Sequence, residues 1–100
     1  MELEELIYQR AQLKKNLTEI EIWVLDLILI DDLTLVTLND DEIRLLCKEA
    51  REKARKYYNE HYSEDEYMRN HLKWEELNRE KIHKIMILNR DILKLQAGKK

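Results

Sequence analysis

Apolar positions recur at helical spacing along most of this chain, and two capping signals punctuate the recurrence. In Leu38-Asn39-Asp40-Asp41-Glu42-Ile43, Asn39 can accept a bond from a free helix amide while Glu42 reaches back to the backbone of Asn39. Leu38 and Ile43 flank that box as a hydrophobic staple, and Asp40 and Asp41 favour the positive end of the helix dipole. A helix is predicted from here to residue 62. Along it Ile43, Leu46, Cys47, Ala50, Ala54, Tyr57 and His61 share one side, and Ala50 and Ala54 let a neighbouring helix approach closely. Glu49 with Lys53 and Glu52 with Lys56 are spaced to pair on the other side.

The same punctuation recurs with Ser63 as cap and Glu66 as its partner, so a third helix is predicted over 64–96, with Gly98 as a left-handed terminator. Its apolar face is wide. Tyr67, Trp74, Leu77, Ile85, Leu88, Ile92 and Leu95 make one arc, and Met68, Ile82, Met86 and Leu93 lie beside it. The same wheel puts Glu80, His83, Arg90 and Lys94 on a solvated side.

Residues 2–17 form a helical stripe through Leu3, Leu6, Ile7, Leu13 and Leu17, with Arg10 inside it. From Ile20 to Ile30 the chain is apolar on nearly every side, and two readings stand. Either the first helix continues to about residue 30, or residues 20–38 form a β-hairpin in an α+β fold. The helical reading is preferred. The expected fold is a single all-α domain over 1–100, a bundle of about three long helices near 2–30, 40–62 and 64–96. With so much apolar helix surface, the bundle is expected to be completed by dimerisation, in a coiled-coil manner.

Composition narrows the function classes. Eighteen Lys and Arg against 21 Asp and Glu leave a net charge of −3, which gives no long-range field for a polyanion, so a nucleic-acid partner is not expected. The basic cluster Arg51, Lys53, Arg55 and Lys56 is diluted by Glu49, Glu52 and Glu60. No apolar run approaches the length of a membrane span, and one Cys forms no intrachain disulfide, so a cytoplasmic location without membrane contact is expected. Glu80 and His83 have metal-ligand spacing but no second such pair, and Cys47 lies on an apolar side with no base beside it; neither a metal nor another cofactor is expected.

Function is therefore expected to reside in helix faces. The reading is a small interaction or regulatory protein, such as a phage or accessory-complex component, that binds itself or another protein. Trp23, Trp74, Leu77, Ile85, Leu88 and Ile92 are its expected partner-binding residues.

Two other readings are open. The segment Leu6-Ile7-Tyr8-Gln9-Arg10-Ala11-Gln12-Leu13, followed by a capped helix and a long final helix, is similar to the layout of the all-helical chorismate mutases. That resemblance implies a dimeric enzyme whose interface pocket holds an anion, here through Arg10, Arg44 and Arg51. At the position of Glu21 that family's pattern has a Lys. The hairpin reading instead resembles the helix-hairpin-helix module of prefoldin-type subunits, with residues 20–38 as the hairpin.

Overall fold

The computed structural model describes residues 2–61 and 77–98. Among them the structure is all-helical, with no strand. The elements are α1 (Glu2–Lys14), α2 (Glu19–Asp26), α3 (Asp32–Leu35), α4 (Asp40–His61) and α5 (Arg79–Ala97). No helix among the described residues is long and apolar enough to cross a membrane.

The expected first helix over 2–30 breaks after Lys14, and Thr18 is the reason. Its Oγ1 accepts from the Glu21 amide at 3.2 Å while Glu21 Oε1 accepts from the Thr18 amide at 2.9 Å, a reciprocal capping box that starts α2. Downstream, Asp31 caps α3 by accepting from the Thr34 amide at 2.8 Å. These caps turn residues 19–35 into two short helices, and the hairpin over 20–38 does not form. The prefoldin-like arrangement falls with it.

The box at Asn39 is present as read. Asn39 Oδ1 accepts from the Glu42 amide at 2.8 Å, and Glu42 Oε1 accepts from the Asn39 amide at 3.1 Å. Ile43, Cys47, Ala50 and Ala54 of α4 are buried against Ile20 and Val24 of α2, Leu35 of α3, and Ile82 and Met86 of α5. The paired alanines are part of that packed core, where a larger side chain would overfill the space.

The continuous helix expected over 64–96 is interrupted just before Arg79. Asn78 caps α5, accepting from the Lys81 amide at 3.0 Å, so α5 begins at Arg79. The Ser63 box lies outside the described residues. At the other end Gly98 has φ −71° and ψ −9°, an ordinary right-handed conformation, and its amide donates to the Lys94 carbonyl at 3.0 Å. It does not terminate the helix in the left-handed region.

α5 is the central element, in contact with α1, α3 and α4. Asn16 meets Lys81 and Arg10 meets Asn89, so α1 lies antiparallel along α5. Buried positions from Ile82 to Ile92 sweep an arc of about 220° at 100° per residue. That breadth overturns the solvated reading of His83 and Arg90, which are both buried. His83 Nε2 lies 3.2 Å from the Asp40 carbonyl oxygen, so that nitrogen carries the proton. Arg90 Nη2 pairs with Asp40 Oδ1 at 2.7 Å while Nη1 donates to the Leu38 carbonyl at 3.0 Å. The start of α4 is thereby gripped by two polar groups of α5.

Candidate functional site

The residues expected to bind a partner divide into three groups. Ile85, Leu88 and Ile92 are 0%, 8% and 2% exposed, so the chain itself covers them. On the described part of the last helix, that apolar face is enclosed by the helices around it, while Tyr67 and Met68 lie outside the described residues. Trp23 and Leu77 are half-buried against the core, and Trp23 meets Tyr57 edge to face with ring centroids 5.6 Å apart. Trp74 lies outside the described residues.

Within one chain, the three arginines of the enzyme reading stand at separate places. Arg10 spans the α1–α5 seam and donates to Asn89 Oδ1 at 2.9 Å, whereas Arg44 pairs with Glu80 at 3.1 Å and Arg51 lines a separate cleft between α4 and α5. The three arginines do not meet. Cys47 is fully buried, and burial raises its thiol to about 11 against the weaker opposing pull of Arg51 and Arg44. Such a thiol behaves as a small apolar side chain. The pairs Glu49–Lys53 and Glu52–Lys56 are not among the ion pairs formed by the described residues, which centre instead on Arg44, Lys81 and Arg90.

The exposed apolar surface lies elsewhere, at the corner between α2 and α3. Leu29 is 88% exposed and Leu33 84%, the highest values among the large apolar side chains described. The α2 and α3 termini force this. Leu27 ends α2, Asp31 caps α3, and the connection between them alternates inward Ile28 and Ile30 with outward Leu29.

Charge singles out the same corner. From Asn16 to Ile43 the chain has eight acids and no Lys, Arg or His. Glu21, Asp31, Asp40 and Glu42 are used within the fold, in caps and in the pair with Arg90. Asp26 and Asp32 remain exposed beside the two leucines, with no ion pair among the described residues. The inner side of the segment, with Asp26 and Asp32 at its edge, also lines a cleft of about 490 Å³ together with Arg10 and Lys14 of α1 and Ile85 of α5.

The chain matches no family model, no curated protein and no solved structure. The acidic run is visible in the sequence, but periodicity does not single it out, because the apolar residues between the acids fit a helix and a strand alike.

Proposed function

We propose that this chain is a protein-interaction module whose corner at residues 26–33 receives a basic, apolar segment of a partner protein. The observation that carries the proposal is the near-complete exposure of Leu29 and Leu33 amid Asp26, Asp31 and Asp32. Burying one leucine is worth roughly 1.5–3 kcal/mol, so two in one corner are anchors of useful size. The carboxylates around them select a cationic surface and disfavour an acidic one.

The same charges bear on self-association. A symmetric dimer built through this corner would bring the acids of one copy against those of the other, an arrangement that like-charge repulsion opposes. With Ile85, Leu88 and Ile92 enclosed by the chain, a second copy is not needed to cover them. The partner is accordingly a different protein, and occupying the corner is how the chain exerts a regulatory or assembly role.

The test separates binding from folding. Leu29→Ser with Leu33→Ser is expected to leave the melting temperature unchanged and to abolish co-purification of the partner from the native host. Undiminished co-purification by a variant with Asp26→Lys and Asp32→Lys, both leucines kept, would contradict the charge argument. Retention of the partner by the double serine variant would remove the corner from the account.

A further inference from the structure

A second charged feature stands apart from the corner. Lys48, Arg51 and Arg55 of α4 converge with Arg79, the first residue of α5, on a cleft of about 280 Å³ lined among the described residues also by Glu52 and Leu77. Among the described residues of the lining, four cations face one carboxylate. On α4 these residues continue the three-to-four spacing begun by Arg44, and Arg51 and Arg55 are like charges one turn apart, a spacing that costs a helix stability. Arg44 is neutralised by Glu80 at 3.1 Å. Lys48, Arg51, Arg55 and Arg79 form no ion pair and donate no side-chain hydrogen bond among the described residues. Burial first, and the charge of Arg79 second, disfavour the cationic form of the half-buried Arg51. Among the described residues, cations from two separate helices are thus held together in one cleft.

We propose that this cleft binds a small, multiply charged phosphate ligand, of which inorganic pyrophosphate is the simplest representative. Three guanidinium groups supply forked donors that match phosphate oxygens two at a time, and Lys48 adds a point charge. A single carboxylate would leave most of the cationic charge uncompensated, whereas a pyrophosphate matches it. Single-stranded nucleic acid fits less well. Polymer binding needs a positive track several phosphates long, and this cationic group is local to one cleft on a chain of net charge −3.

The experiment is calorimetric titration of the full chain with sodium pyrophosphate at low ionic strength, alongside sodium chloride of matched ionic strength. Arg51→Gln and Arg79→Gln keep polar side chains while removing the charge, and Lys53→Gln, on the other flank of α4, removes a charge away from the cleft. Binding is expected to weaken about tenfold for each arginine lost, equivalent to about 1.4 kcal/mol. Lys53→Gln should bind as the parent does. Without ligand, Arg51→Gln should melt no lower than the parent, because it relieves repulsion. Heats no larger than those of the chloride control, or equal affinity in the Arg51→Gln with Arg79→Gln variant, would overturn the site. An oligouridylate bound at least about tenfold more tightly than pyrophosphate through the same arginines would overturn the small-ligand assignment.

Discussion

Glu21 joins two helix starts through one carboxylate: its Oε1 accepts from the Thr18 amide at 2.9 Å and its Oε2 from the Asn78 amide at 3.0 Å. The side chain is almost wholly buried, and Lys81 Nζ approaches it at 3.8 Å. One residue thus sets where α2 begins and where α5 begins relative to it. Glu21→Ala leaves two amides without their acceptor and should cost about 2–5 kcal/mol, measured by urea unfolding. Glu21→Gln should recover only part of that, because its amide nitrogen would face a donor.

Arg90 plays the corresponding part at the start of α4. Arg90→Met keeps an apolar stem of similar reach but loses the bonds to Asp40 and the Leu38 carbonyl. Asp40 is itself 65% exposed at its side chain, so solvent screens the pair. The expected loss is about 1–2 kcal/mol, and Asp40→Asn should account for less than half of it. A variant as stable as the parent would show that the carbonyl contact contributes little.

The asymmetry between core and corner is a sharper test of the fold. Ile82 is fully buried and Leu29 is 88% exposed. Ile82→Ala should therefore destabilise by about 2–5 kcal/mol, and Leu29→Ala by less than about 0.5 kcal/mol. Comparable losses at both positions would mean that the corner is packed in solution.

Cys47 makes a prediction in alkali. With its thiol raised from 9.0 to about 11 by burial, the unfolded chain ionises first as pH increases. Stability should fall above pH 9 and this contribution should level off above about pH 11, a decline absent from Cys47→Ala. Under native conditions at neutral pH the thiol should resist iodoacetamide and react only after denaturation. Rapid alkylation of the folded chain would contradict its burial.

At the acid end the α3 cap is the sensitive element. The Thr34 amide, followed by the Thr34 hydroxyl, holds the Asp31 carboxyl below its ordinary value of 3.8. Its contribution is present above that value and is lost as pH falls through the lower folded-state value. An NMR titration should show the Thr34 amide resonance moving in that acid range, and Asp31→Asn should abolish the movement.

Much of the helical architecture was legible from local signals, and the misses share a physical cause. The Asn39 box stands out because its apolar stripe is unambiguous; the equally complete Thr18–Glu21 box does not, because the apolar run after it obscures the period. Asn78 was hidden in the same way behind a continuous wheel drawn from Tyr67 to Leu95. A helical wheel assumes one buried side, so it could not foresee that α5 is covered by several neighbours and that His83 and Arg90 turn inward. Leu29 and Leu33 were unremarkable as letters. Their exposure follows from where α2 ends and α3 is capped, which are tertiary facts as much as local ones.

If the chain acts through a partner, the corner at residues 26–33 is the surface that partner touches. A photo-crosslinking amino acid placed at position 29, at position 8 on α1, and at position 85 inside the core tests this residue by residue in the native host. The account predicts one discrete crosslinked protein from position 29, lost when Asp26 and Asp32 are both replaced by Lys, and none from positions 8 or 85. An identical product from position 8, or no product from position 29, would contradict it.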